Sequence, residues 1–162
     1  MKIIMQDPWG IRGPGVYTYS LCNAFSKKGI EIILITNWQF EFDKLSNFKV
    51  IKKFFKYSEN LKVGLFRKVI RGLEYCFNML NLLNKYSKEY PDIIHIKWLL
   101  FYQFDYFWLR LLRYLLRRKN TKIILTAHNV LPHINGYKYK NILENIYSRF
   151  DGIIVHSKVL KT

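Results

Sequence analysis

Acidic residues are scarce in this sequence, which has 11 aspartates and glutamates against 27 lysines and arginines in 162 residues. The formal net charge of +16 attracts polyanions, so the candidate partners are nucleic acid, anionic lipid headgroups and phosphorylated substrates. The charge alone does not choose among these three classes.

Cysteine is rare as well. Cys22 and Cys76 lie far apart and match neither metal-binding nor redox spacing, so we expect two small hydrophobic side chains in a reducing compartment. Neither a cysteine nor a carboxylate stands at ligand spacing from the histidines, and the sequence therefore predicts no metal site.

Long uninterrupted apolar runs are also missing. Residues 98–116 are the most apolar stretch, but they contain Asp105, Arg110 and Arg113, which are costly in the centre of a bilayer. The apolar run at residues 1–5 is too short for the core of a signal peptide. We expect a soluble or surface-bound protein.

Half of the residues are hydrophobic and 17% are aromatic, which predicts one packed domain over residues 1–162. Short apolar segments alternate with helical patterns, one of which places Leu65, Val69, Leu73, Phe77 and Leu80 on one stripe. This alternation predicts an α/β fold, a Rossmann-like parallel sheet flanked by helices. The predicted strands are residues 2–5, 31–36, 48–55, 92–96, 122–126 and 152–155. The first predicted helix begins near residue 17, and the other three cover residues 63–90, 99–118 and 139–148.

In such sheets the ligand crevice lies beyond the carboxyl ends of the strands. A predicted loop over residues 6–15 brings Gly13 and Gly15 to the start of the first helix, where backbone amides can contact a phosphate or a sugar. The alternative is a tight turn without a ligand. The dinucleotide fingerprint is not matched, because the glycine spacing is reversed and Thr36 and Asn37 replace the ribose-binding acid.

Two histidines follow the predicted fifth strand. His128 and His133 can donate a hydrogen bond to a sugar hydroxyl or transfer a proton near neutral pH, and the alternative is a structural role at the strand end. His95 lies within the fourth strand and is interpreted as structural. For His156, at the end of the sixth strand, both interpretations remain open.

Basic residues concentrate between residues 49 and 71, interleaved with Phe54, Phe55, Tyr57 and Phe66. A cationic face with aromatic residues is typical of a protein that lies on anionic lipid, and the alternative is an ordinary solvated face. The predicted membrane- or anion-binding residues are Lys52, Lys53, Lys56, Arg67, Lys68 and Arg71.

Five blocks of this sequence, in order, resemble the retaining glycosyltransferases of family 4. They are residues 13–21, 24–36, 91–95, 126–129 and 151–157, and together they span nearly the whole chain. The resemblance implies one half of a GT-B architecture, in which two Rossmann-like domains enclose the active site. This chain would be the N-terminal, acceptor-binding half, and the donor-binding domain would follow Thr162 or belong to a partner chain.

The resemblance also implies roles for individual residues. His128 would act at the reaction centre, and Gly13 and Gly15 would approach the donor diphosphate, although Pro14 stands where the family often has glycine. No metal or other cofactor is implied, since the nucleotide sugar is a co-substrate. The other residues expected to contact substrate or donor phosphate are Lys97, Trp98, Asn129 and Ser157.

The leading hypothesis is therefore a glycosyltransferase that moves a hexose from a nucleotide sugar to a glycan or a lipid-linked acceptor. We expect the enzyme to be cytoplasmic and peripheral on the inner membrane face, and this chain alone to be incomplete. The second hypothesis is a non-catalytic module that presents the acceptor to a separate catalytic chain. The third, a nucleic-acid-binding protein, rests only on charge and aromatic content, and the sequence has no recognisable nucleic-acid-binding motif.

Overall fold

The computed structural model describes residues 1–117, 119–128 and 136–155. No helix in this part of the chain is both long and apolar enough to cross a membrane. The strands are β1 (Lys2–Asp7), β2 (Glu31–Asn37), β3 (Lys49–Phe54), β4 (Ile93–Ile96), β5 (Lys122–Ala127) and β6 (Gly152–Val155). The α-helices are α1 (Arg12–Lys27), α2 (Leu65–Glu89), α3 (Tyr102–Leu116) and α4 (Lys140–Tyr147).

The six strands form one sheet in the order β3-β2-β1-β4-β5-β6, and every neighbouring pair is parallel. The chain first builds outward from β1 to β3, then crosses back through α2 to continue at β4 on the other side of β1. The strand order therefore switches between β1 and β4, and ligands of such sheets bind beyond the carboxyl ends of the strands near a switch. The predicted α/β, Rossmann-like class is confirmed.

Helices cover both faces of the sheet. On one face α1 packs against Met5 and Leu34, with Cys22 fully buried among them. On the other face α2, α3 and α4 pack against Ile4 and Ile33. Alternate residues of the same strands therefore point into different cores, which is why the central strands are apolar without interruption. Cys22 is a buried free cysteine, as expected of a small hydrophobic side chain, whereas Cys76 is only half-buried.

Helix α2 is apolar on two opposite sides. Its inner side contributes Tyr75, Met79, Leu82 and Tyr86 to the core, all fully buried. The predicted stripe lies on the outer side instead, and we call it the outer stripe. Its members and their exposed fractions are Leu65 (79%), Val69 (52%), Leu73 (63%), Phe77 (68%) and Leu80 (44%).

The predicted loop over residues 6–15 was wrong at both ends. Strand β1 continues through Asp7, because Gln6 and Asp7 pair with Ile35 and Thr36 of β2. The buried Gln6 side chain also accepts a hydrogen bond from the Tyr86 hydroxyl (2.6 Å). Helix α1 already begins at Arg12, so Gly13 and Gly15 lie in its first turn. The intervening Pro14 is compatible with that turn, where a backbone N–H has no partner within the helix.

Candidate functional site

A cavity of about 300 Å³ opens at the carboxyl ends of β4 and β5. Because these strands are parallel neighbours, the residues that follow them meet at one edge of the sheet. The cavity is walled on the helical side by α3 and α4. Its lining residues are Lys97, Trp98, Leu99, Tyr102, Leu125, Thr126, Ala127, His128, Leu143 and Tyr147.

His128 and Trp98 stack on each other in this cavity. Their ring centroids are 4.1 Å apart and the ring planes differ by 13°. The indole, which follows β4, therefore fixes the plane of the half-buried imidazole, which follows β5. A histidine held in this way can direct a ring nitrogen at a bound hydroxyl group.

Lys97 places a buried positive charge beside the stack. Its side chain is only 1% exposed, and Nζ lies 3.8 Å from the centroid of the Tyr17 ring. Burial lowers the pKa of Lys97 to about 8, although the nearby Asp7 carboxylate acts in the opposite direction. Lys97 Nζ has no hydrogen-bond partner among the described residues, whereas the indole of Trp98 interacts with the Asp7 carboxylate. An oxygen-rich ligand would satisfy the Lys97 donor.

Asp7 is a site residue that the sequence analysis missed. It ends β1 fully buried, accepts hydrogen bonds from the Thr18 hydroxyl (2.5 Å) and the Trp9 amide (3.2 Å), and interacts electrostatically with Lys97. Burial raises the pKa of the Asp7 carboxyl, while its hydrogen bond with Thr18 and the charge of Lys97 oppose the rise. The signal available in the sequence was an acidic residue at the end of the first strand, where the predicted loop obscured it.

The two predicted glycines differ in their surroundings. A Cβ atom on Gly15 would lie 2.9 Å from the carbonyl oxygen of Gly10, so Gly15 lets α1 approach the preceding turn closely. A Cβ atom on Gly13 would meet nothing within 4 Å. No side chain caps α1 and no acidic residue occupies its first turn, so the amides beside Gly13 remain suited to an anion.

The six predicted membrane- or anion-binding residues do not form one face. Arg67 and Arg71 both pair with Glu59, at 2.6 and 3.0 Å, beside the turn that precedes α1. Arg71 also lies over the Trp9 ring, 4.6 Å from its centroid. Lys68 is exposed near the start of α2. The remaining three, which line a separate groove between β3 and α2, are Lys52, Lys53 and Lys56.

His95 is the remaining predicted residue that lies within the described part of the chain. His95 is buried, and its Nε2 lies 2.7 Å from the Thr126 hydroxyl, which agrees with the structural interpretation. Burial lowers the pKa of His95 to about 4, with Lys97 acting in the same direction. Four predicted positions lie outside the described residues: Asn129, His133, His156 and Ser157. Within the described ranges, no three His, Cys, Asp or Glu side chains are placed to hold a metal ion.

Two solved structures share this fold. The lipopolysaccharide outer core galactosyltransferase WaaB is similar with a TM-score of 0.57 and 16% identity, over 99% of this chain and 41% of WaaB. MurG of Acinetobacter baumannii is similar with a TM-score of 0.56 and 6% identity, over 95% of this chain and 40% of MurG. The chain thus spans about two fifths of the length of either structure.

Comparison with curated proteins gives no match. The sequence model of Glycosyltransferase Family 4 matches residues 11–162, which is almost the entire chain. The match includes α1, the segment that contains Lys97 and Trp98, and the strand that leads to His128. The chain belongs to Glycosyltransferase Family 4.

Proposed function

We propose that this chain is the acceptor-binding half of a glycosyltransferase that moves a hexose from a nucleotide sugar to a glycan or lipid-linked acceptor. The observation that carries the proposal is the cavity at the carboxyl edge of the sheet, which is lined by His128 stacked on Trp98. Family membership supports the reaction class, and the proposal extends it to the roles of individual residues.

In this proposal the cavity orients the acceptor. During transfer the glycosyl–phosphate bond of the donor breaks and a bond forms from the acceptor oxygen to the sugar. The nucleoside diphosphate leaves with the electron pair and takes up the proton of the acceptor hydroxyl. His128 holds the attacking hydroxyl by a hydrogen bond, so that reaction begins from a fixed geometry. Lys97 and the first-turn amides of α1 supply positive potential where negative charge accumulates on the departing diphosphate.

The donor would be bound by a second domain or by a partner chain. Both structural neighbours are more than twice the length matched here, which supports the first arrangement. The intact mass of the native gene product tests it: a mass well above 19.6 kDa supports the two-domain enzyme. A mass of 19.6 kDa supports a split enzyme or the acceptor-presenting module, and co-purification then identifies the partner chain.

Mutation of His128 tests the assigned role in the full native enzyme. We expect His128→Ala to lower kcat by at least about tenfold, because misplacing a reacting group by about 1 Å can cost roughly 10²-fold. The control is Phe107→Ala, on the exposed side of α3. Both variants should retain the Tm of the wild type within a few degrees. An unchanged kcat in folded His128→Ala would remove His128 from the site.

A further inference from the structure

The outer stripe of α2 is a continuous apolar surface without cover among the described residues. Its members recur at intervals of three or four residues, so they lie on one side of the helix over four turns. Val69, Leu73 and Phe77, in its middle, are each more than half exposed. Contiguous apolar surface of this kind marks an interaction site.

Lysines and aromatic rings border the stripe. Lys53 and Lys56 share a groove of about 550 Å³ with Leu73 and Phe77. Lys56 lies over the indole of Trp38, with Nζ 4.7 Å from the ring centroid. We call Lys53 and Lys56, which line this groove, the lysine rim.

The acidic residues next to this surface are already engaged. Glu74 lines the groove, but its carboxylate accepts hydrogen bonds from the Ser58 hydroxyl (2.9 Å) and from two backbone amides. Asp43 pairs with Lys52 at 3.0 Å. Glu59 is held between Arg67 and Arg71. The lysine rim therefore presents positive charge to whatever covers the stripe.

The outer stripe, bordered by lysines and aromatic rings, is complementary to the layers of an anionic bilayer surface. Leucine and phenylalanine side chains enter the acyl boundary, tryptophan and tyrosine favour the headgroup level, and lysines contact anionic headgroups. A protein partner would need an acidic border around an apolar centre. The net charge of +16 strengthens attraction to a membrane over its whole surface.

We propose that the outer stripe and the lysine rim dock this protein on an anionic lipid bilayer. The inference does not depend on the transfer reaction, because docking is measured without donor or acceptor. It also revises the sequence-based patch: Arg67 and Arg71 belong to the Glu59 cluster, and the apolar residues of α2 take their place.

Co-sedimentation with vesicles tests the proposal on the whole chain, with 30% phosphatidylglycerol in phosphatidylcholine compared with pure phosphatidylcholine. We expect binding to the anionic vesicles that weakens from 0.05 to 0.5 M NaCl, as screening requires. Lys53→Glu/Lys56→Glu should lower the partition coefficient by at least roughly 30-fold. Lys27→Glu/Lys28→Glu, at the exposed end of α1 on the opposite face, makes the same change in net charge and should lower it far less.

A second pair of variants separates docking from bulk attraction. Leu73→Ser/Phe77→Ser should lower the partition coefficient at least about tenfold at constant charge, since it removes inserted apolar surface. Val16→Ser/Leu45→Ser, which changes exposed side chains on the α1 side, should not. The proposal is overturned if the stripe or rim variant loses no more vesicle binding than its control on the α1 side. It is also overturned if the wild type does not bind the anionic vesicles. Loss of self-association with unchanged vesicle binding in Leu73→Ser/Phe77→Ser also overturns it, because the stripe is then a contact between copies.

Discussion

The carboxyl group of Asp105 allows a direct test of the packing that supports the site. It is fully buried in α3, where it accepts hydrogen bonds from the Tyr75 hydroxyl (2.7 Å) and the Phe101 amide (2.9 Å). It thereby ties the start of α3, and the segment that carries Trp98, to helix α2. Burial raises the pKa of Asp105 to about 7, although both hydrogen bonds oppose the rise.

This raised pKa makes stability depend on pH. Between pH 4 and pH 7 the folded protein holds a proton on Asp105 that the unfolded chain has lost, so the free energy of unfolding falls as the pH rises. At about 1.4 kcal/mol per pKa unit, the whole effect is roughly 4 kcal/mol, of which roughly 3 kcal/mol falls between pH 5 and pH 8. Asp105→Asn resembles the protonated acid in shape and cannot titrate. We therefore expect it to gain about 3 kcal/mol relative to the wild type over this interval.

Urea unfolding followed by circular dichroism at pH 5 and pH 8 measures the effect. The difference between the two proteins isolates Asp105, because every other titrating group is common to both. Glu144→Gln, on the exposed side of α4, is the control and should remain parallel to the wild type. If the free energy of unfolding changes equally with pH in Asp105→Asn and the wild type, ionisation of Asp105 does not destabilise the fold, and the reasoning is refuted.

Two further predictions concern the glycines of α1 and the buried histidine of β4. Gly15→Ala should lower the free energy of unfolding by roughly 1–3 kcal/mol, because its Cβ would overlap the Gly10 carbonyl. Gly13→Ala should leave the free energy of unfolding equal or raise it by up to about 1 kcal/mol. Thermal unfolding compares them, and equal effects would contradict the close approach. Burial lowers the pKa of His95 in the folded protein, so between pH 6.5 and pH 4 the unfolded chain binds a proton at this residue that the folded chain does not. The free energy of unfolding should therefore fall by roughly 3 kcal/mol over this interval. His95→Gln should show a shallower acid slope in urea unfolding, and an unchanged slope would exclude His95 as its source.

The sequence predicted the sheet because its signal is local. Strands such as β2 are buried on both faces, so their uninterrupted apolar runs identify them directly. The start of α1 was predicted less accurately, because two glycines and Pro14 in the first turn of a helix are also typical of a loop. That β1 continues is visible only in the pairing of Gln6 and Asp7 with Ile35 and Thr36 of β2, which are distant in sequence.

The site was predictable where a residue follows a strand and not where it depends on distant partners. His128 and Trp98 each follow a strand, and strand order alone brings them together. The contribution of Asp7 depends on its burial beside Lys97, and the division of the basic residues depends on where Glu59 lies. The direction of the outer stripe could not be read from periodicity, because a helix with two apolar sides has no unique inner side.

The contact between Gly15 and Gly10 bears on how acceptor preference could be redesigned. Helix α1 lies directly on the turn before it, so a methyl group at Gly15 cannot be added unless the backbone moves. Substitutions there would be selected against for folding before any change of substrate could be observed. The segment after Trp98 begins with Leu99, which lines the cavity, and lies outside any helix or strand. Libraries aimed at new acceptors should therefore vary that segment and leave Trp98, Gly10 and Gly15 unchanged.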